Sequence, residues 1–236
     1  MSAPAAGVER YLSLAGRADP ARAVHRAAAA AIRERAARYF RGRLLEIGCG
    51  SRAKELLVGD LVDEYVGLDH AGCPHGVAGA DVIATAYATT LPDASFDCVL
   101  STAVLEHLEE PAAALREALR VLRPGGHAIY TAPLFWHVHE APRDFYRYTP
   151  FGLRYVFERA GFDVLEVAPL SGFWVTFASA LGYHLQRFRR GPARALVASF
   201  VAVATALAPR LDRLLAPDPR FAWMHLVVAR RPLAPA

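Results

Sequence analysis

At 236 residues, with 54% hydrophobic and 21% charged side chains, the chain can bury a full core, which excludes a largely disordered polypeptide. The net charge of +4 and pI near 9.1 are too mild to argue for nucleic acid, because the basic residues are spread rather than grouped on a recognisable binding motif. Cys49, Cys73 and Cys98 have no short paired spacing, which speaks against a disulfide framework and fits a reducing cytosol. No apolar run follows the small residues Ser2 to Gly7, so a signal peptide is not expected.

Residues 1–19 read as a loosely ordered lead-in. An Ala-rich helical pattern runs from Pro20 to Phe40, with Asp19 as N-cap and Pro20 at the first helical position. Leu44 to Ile47 is a predicted strand ending in Gly48-Cys49-Gly50, and Tyr65 to Leu68 is a second, ending at Asp69. Short strands follow at Val82-Ile83 and at Phe96 to Leu100. An amphipathic helix from Pro111 to Leu122 is expected to stop at Pro124-Gly125-Gly126, with His127 to Ala132 the next strand. A helix from Pro150 to Ala160 has Thr149 as its cap and Gly161 as its end, and Phe162 to Val167 is one more strand.

The rhythm then changes. Phe173 to His184 and Ala195 to Ala208 are apolar, separated by the basic break Gln186 to Pro192, and a last strand covers Trp223 to Ala229. Each apolar run is short for a bilayer span, so two helices joined by a Gly-Pro turn are expected. They are read either as a cap or dimer interface, or as a peripheral membrane contact through 173–215, with Arg187, Arg189, Arg190 and Arg194 meeting anionic headgroups. No repeat is visible. The chain is read as one domain, 1–236, made of an N-terminal helix (20–41), a core (42–170), a helical pair (171–217) and a final strand and tail (218–236).

Strands alternating with helices predict an α/β fold with a parallel sheet covered on both faces, whose ligands bind beyond the carboxyl ends of the strands. Glu46, Asp69, Thr85 and Ser101 fall at or just past such ends. The two glycines of Gly48-Cys49-Gly50 permit a sharp turn and close approach of a ligand to the backbone. Alone, Gly48 to Ala53 followed by Asp69 fits a dinucleotide site of an NAD-dependent oxidoreductase equally well. Glu46 tilts the balance. A carboxylate two residues before the turn suits a cationic amino-acid end or sulfonium and repels a pyrophosphate.

From about Leu44 to Val167, and again at the final strand, the chain resembles the class I S-adenosylmethionine-dependent methyltransferases, and within them the type 11 subgroup. Glu46, Gly48 and Gly50 match the family's first motif, Tyr65-Val66-Gly67-Leu68-Asp69 its second, and Pro92-Asp93-Ala94-Ser95-Phe96-Asp97 its central strand entry. Leu105-Glu106-His107-Leu108 and Arg120 to Gly126 match later landmarks. The resemblance implies a Rossmann-like three-layer sandwich with a seven-stranded, mostly parallel sheet whose last strand is antiparallel, and S-adenosyl-L-methionine as cofactor. Cofactor-binding positions are then Glu46, Gly48, Cys49, Gly50, Asp69, His70, Thr85, Ala86 and Ser101, with Asp69 on the ribose hydroxyls. Thr85 departs from the family, which places an acid there beside the adenine amino group.

Phe135 to Thr149 is rich in aromatic and titratable residues and lies past a strand end, where a methyl acceptor must arrive. The type 11 subgroup has a similar run. His139 is the expected general base, since its ordinary pKa lies near neutrality, with Glu140 or Asp144 orienting it or binding substrate. Tyr146 and Trp136 are candidates to stack on the acceptor or face the sulfonium. Asp144 with Arg147 reads equally well as a structural ion pair. The spacings His70-x-x-Cys73-x-His75 and His137-x-His139 are each incomplete as ligand sets, so no metal is expected. The expected activity is methyl transfer to a small-molecule, saccharide or lipid-like acceptor, with oxygen favoured. A non-catalytic protein on a methyltransferase scaffold is the other alternative. The expected location is the cytoplasm, with peripheral contact at the inner membrane face and homodimerisation as options.

Overall fold

The computed structural model describes residues 3–14, 19–188, 191, 194–215 and 218–233. In chain order the elements are α1 (Ala3–Leu14), α2 (Arg22–Tyr39), β1 (Arg43–Ile47), α3 (Glu55–Val58), β2 (Glu64–Asp69), β3 (Val82–Ile83) and β4 (Phe96–Thr102). Then come α4 (Pro111–Val121), β5 (Leu122–Pro133), α5 (Pro150–Ala160), β6 (Asp163–Pro169), α6 (Phe173–Leu185), α7 (Arg194–Leu214) and β7 (Met224–Arg230). The seven strands form one sheet in the order β3-β2-β1-β4-β5-β7-β6. All pairs are parallel except those of β7, which runs antiparallel to both β5 and β6.

Strand side chains alternate between faces, and both faces are covered. Leu45, Val66, Val99 and Ala128 belong to a core with Leu115, Leu153 and Phe157 of α4 and α5. Their neighbours Leu44, Tyr65, Leu100 and Ile129 belong to the opposite core, with Val24 and Ile32 of α2 and Val175 of α6. The strand order reverses between β1 and β4, and a crevice opens there beyond the strand ends.

Both capping signals at α5 are met. Thr149 Oγ1 accepts from the Gly152 amide at 3.0 Å, and Gly161 closes α5 at φ +102°. Three expectations need correction. Residues 3–14 are the helix α1, whose Leu12 is fully buried. Asp19 does not cap α2, whose N-cap is Ala21; its carboxylate instead accepts from the Ala21 amide at 2.9 Å in the preceding turn. Pro124-Gly125-Gly126 lies inside the bounds of β5, where the register to β4 jumps from Phe96–Leu122 to Cys98–His127. The glycines bulge the strand there, and α4 has already ended at Val121.

The C-terminal helical pair is present, but its second helix extends beyond the expected Ala195 to Ala208 to 21 residues, so by length and composition α7 is long and apolar enough to cross a membrane, contrary to the expectation that each run is short for a span. Arg189, Arg190 and Pro192, which the sequence places in its connection, lie outside the described residues. Gly172, at the N-cap of α6, offers no side chain, and Asp212 of α7 supplies the cap from a distance. Its carboxylate accepts from the amides of Gly172 (3.0 Å), Trp174 (2.9 Å) and Val175 (3.2 Å). Three otherwise orphaned donors and a buried charge are satisfied together. Asp212→Ala is expected to lower the unfolding free energy by about 2–4 kcal/mol, and Asp212→Asn by less, in urea denaturation. An unchanged midpoint for the alanine variant would contradict this account of the cap.

Candidate active site

The crevice at the reversal point is a cleft of about 1000 Å³. One wall is Ile47, Gly48, Gly50 and Ser51 from the end of β1, with Lys54 at the start of α3; another is Leu68, Asp69 and His70 from β2. Thr85, Ala86 and Tyr87 after β3, and Thr102 to Val104 at the end of β4, complete the inner end. His107, His139 and Glu140 form the outer end, and Tyr11 and Leu14 of α1 overhang it.

The glycine turn is shaped by two constraints. Gly48 has φ +76°, and a Cβ there would sit 2.4 Å from Val104 Cγ2, so no other residue fits. Gly50 has φ +51° and faces open space, with only His75 Cβ at 3.8 Å, which leaves its backbone accessible to a ligand. Asp69 ties this turn to β2. One carboxylate oxygen accepts from the Gly50 amide and the other from the His70 amide, both at 2.8 Å. Each oxygen keeps a lone pair for a ligand hydroxyl.

Glu46 lies behind the glycine wall and does not itself line the cleft. It is fully buried, its Oε2 accepts from the Tyr65 hydroxyl, and its Oε1 has no hydrogen-bond partner. The nearest cation is Lys54 Nζ at 4.0 Å from that orphaned oxygen. Burial pushes the Glu46 carboxyl up to about 7, against the pull of Lys54 and the Tyr65 hydroxyl. Such an atom is poised to take a donor or a cation. Lys54 and Tyr65 are parts of this arrangement that sequence reading did not single out. Lys54 follows the glycine turn closely, and a cation at a helix start opposite a buried acid was the available signal.

The outer end is assembled from segments far apart in sequence. The segment after β5 folds back on Glu106, whose carbonyl accepts from the amides of Phe145 (2.8 Å) and Tyr146 (3.3 Å). His107 is anchored by its Nδ1 on the Arg143 carbonyl, and its ring meets that of His139 edge-on at 4.7 Å. Glu140 accepts from His75 Nε2 at 3.0 Å and lies 3.8 Å from His107. Burial first, then the neighbouring His107, holds the His139 imidazolium below its ordinary pKa, so the ring is neutral at pH 7. Ala103 (φ +54°) and Glu140 (φ +52°) both sit in the left-handed region and both line the cleft. Strain of this kind collects where surrounding structure enforces a particular backbone path.

The expected residues thus separate. Gly48, Gly50, Asp69, His70, Thr85, Ala86, His139 and Glu140 meet in the cleft. Cys49 and Ser101 do not reach it. Cys49 is buried against Gly67, with burial raising its thiol to about 12, and Ser101 precedes the cleft-facing Thr102 by one residue. Asp144 stands behind His139. Its carboxylate holds Arg147 at 2.6 and 2.8 Å and the His139 amide at 2.9 Å, and its Oδ2 is 3.4 Å from His139 Nδ1. Tyr146 turns outward to donate to the Glu109 carbonyl at 2.9 Å, and Trp136 packs between Tyr183 and Trp223. Neither aromatic faces the cleft. Glu106, His107 and His139 place ligating atoms within 4.8 Å of one another, a grouping that neither histidine spacing in the sequence had suggested.

A family profile described as a methyltransferase domain matches residues 45–130. A Mycolicibacterium smegmatis protein described as a probable S-adenosylmethionine-dependent methyltransferase is 36% identical over 107 residues, a stretch covering 42% of this chain and 42% of that relative. Among solved structures, the [4+2]-cyclase SpnF is similar at a TM-score of 0.57 and 21% identity, over 86% of this chain and 81% of that one. Phosphoethanolamine N-methyltransferase 2 of Haemonchus contortus, in complex with S-adenosyl-L-methionine, is similar at a TM-score of 0.53 and 16% identity, over 82% of this chain and 49% of that one. The dinucleotide reading of the glycine loop is therefore set aside in favour of S-adenosylmethionine. Residues 45–130 match a methyltransferase domain, the chain spans less than half the length of the curated relative it matches, and its sheet has the order and the antiparallel strand of the methyltransferase structures it is similar to.

Proposed function

We propose that the protein transfers a methyl group from S-adenosylmethionine to a hydroxyl oxygen of an acceptor held between His107, His139 and Glu140. The observation that carries this reading is the pair of carboxylates beside the glycine turn, of which Glu46 keeps a buried oxygen without a partner. A cationic amino-acid end in the cleft is favoured by the carboxylate of Glu46 behind the glycine wall, and the free lone pairs of Asp69 suit two ribose hydroxyls. Thr85 and Ala86, just past β3, are left for the adenine edge. The cleft lies at the top of the size range for small-ligand sites, so an acceptor fits beside the cofactor.

When bound, S-adenosylmethionine supplies an electrophilic methyl on a sulfonium and departs as the neutral thioether. The protein then has two tasks. It must exclude water and align the acceptor oxygen, a task for the walls around Val104, Leu108 and Pro142. It must also take the hydroxyl proton, for which neutral His139 is the base, with Asp144 holding the backbone at His139 through its amide. His107, fixed on the Arg143 carbonyl, positions His139 by ring contact.

Calorimetry is expected to give a single site for S-adenosylmethionine and for S-adenosylhomocysteine, and no heat with NAD. Asp69→Ala should weaken binding about 100-fold, the worth of two charge-assisted hydrogen bonds, and Glu46→Gln about tenfold. Equal affinity of wild type and both variants would remove the proposed cofactor pocket.

The pH profile tests the base. Because the pKa of His139 is lowered, kcat/KM should be level near neutrality and fall as pH drops through a value below that of ordinary histidine. His139→Ala should cut kcat by about 10²–10⁴ and abolish that acid limb, leaving the cofactor Kd unchanged. An acid limb that persists in the variant would assign the proton to another group.

A further inference from the structure

The segment 173–215 carries six arginines and one aspartate. That aspartate, Asp212, is consumed by the cap of α6. Helix α7 has two apolar stripes. Val201 and Ala208, in register with Asp212, are buried against the rest of the molecule. The second stripe, Leu196, Phe200, Val203, Leu207 and Leu214, follows alternating three- and four-residue steps with one step occupied by Arg210. These side chains remain 76%, 52%, 57%, 47% and 80% exposed. Over its most apolar 18 residues α7 is only 17% buried. Phe173, Trp174, Phe177 and Leu181 of α6, and Phe188 beyond it, add to the exposed apolar surface. A monomer in water has no reason to present so much contiguous apolar area.

We propose that this face docks the protein on the surface of a bilayer containing anionic lipid. Three observations choose that occupant. Arg187, Arg194, Arg210 and Arg213 are exposed at the two ends of the helical pair, and the last three make no ion pair among the described residues. A second copy meeting α7 across a two-fold axis would bring arginine near arginine with no acid to compensate, whereas phosphate headgroups would pair with them. Exposed Trp174 suits the level of the headgroups, where an apolar ring with a polar edge is favoured, and the exposed phenylalanines add apolar area beneath it. Helix α7 lies in the plane of the surface and does not cross it. Its buried stripe and the Asp212 cap hold it along α6, whose Val175, Thr176, Ser179 and Gly182 are in turn buried in the body.

The docking face is joined to the cleft through one short segment. Phe135 packs on Phe177, and Trp136 and His137 both contact Tyr183, two residues before His139. A bilayer-bound α6 therefore sits beside the end of the cleft where the acceptor enters.

Co-sedimentation of the full-length protein with phosphatidylcholine vesicles, alone or with phosphatidylglycerol, tests the docking. Most of the protein should pellet with the anionic vesicles and little with the neutral ones, and about 0.5 M salt should release it. Phe200→Ser with Leu207→Ser, and separately Arg194→Glu with Arg210→Glu and Arg213→Glu, should each weaken binding by about tenfold or more. Both sets alter exposed positions, and thermal melts check that the fold survives. Quenching of wild-type tryptophan fluorescence by brominated lipid, lost in Trp174→Phe, gives a readout that needs no charge or apolar variant. Failure to bind anionic vesicles overturns the assignment. So does a dimer in light scattering that the Phe200→Ser, Leu207→Ser variant dissociates, which would make the stripe a subunit interface. Cofactor calorimetry is independent of lipid, so loss of docking with cofactor binding intact refutes the docking alone.

Discussion

The carboxylate of Asp69 is the knot at the centre of this molecule. It stands at the end of β2 and holds the amide of Gly50 from the neighbouring strand's turn and the amide of His70 from its own. With both oxygens so engaged, the glycine turn cannot drift from β2, and the distance between the two walls of the cleft is set. A charge at 4% exposure is tolerable only because two backbone donors face it and lone pairs remain for a ligand.

Glu46 plays the complementary part. Asp69 is satisfied and waits for neutral hydroxyls; Glu46 is half satisfied and waits for charge. A buried carboxylate oxygen without a partner behind the glycine wall favours a cation over an anion in the cleft. Lys54 at 4.0 Å moderates the cost of that oxygen in the free protein without forming a close pair.

The outer end of the cleft follows a different plan. Its titratable groups come from residues 75, 107, 139 and 140, carried on loops and braced by the Asp144–Arg147 pair rather than by strand ends. Arg147 also grips the carbonyls of Trp136 (3.1 Å) and His137 (2.9 Å), which stiffens the segment between the cleft and the helical pair. The fold itself is shared by a cyclase and an N-methyltransferase, so it does not by itself specify the chemistry.

Much of the architecture was readable from the chain because it rests on local rules. Strand and helix periodicity, the cap at Thr149, the stop at Gly161, and the spacing of Glu46, Gly48, Gly50 and Asp69 are written within a few residues of one another or follow a fixed motif order. Helix α1 was missed because Pro4 and Gly7 interrupt an otherwise helix-favouring segment and twelve residues are too few to hold a helix alone; burial of Leu12 against the rest of the fold stabilises it. Whether Tyr146 or His139 faces the cleft depended on how the loop crossed back over Glu106. The pairing of His107 with His139 depended on bringing together residues 32 apart in the chain. Sequence alone determined the strands and most helices of the core, their order and the acids at the glycine turn, since those follow from backbone propensity and short-range spacing. Only the tertiary structure decided which titratable side chains meet, which are consumed as braces, and which apolar helix face stays in water, because those outcomes depend on long-range packing.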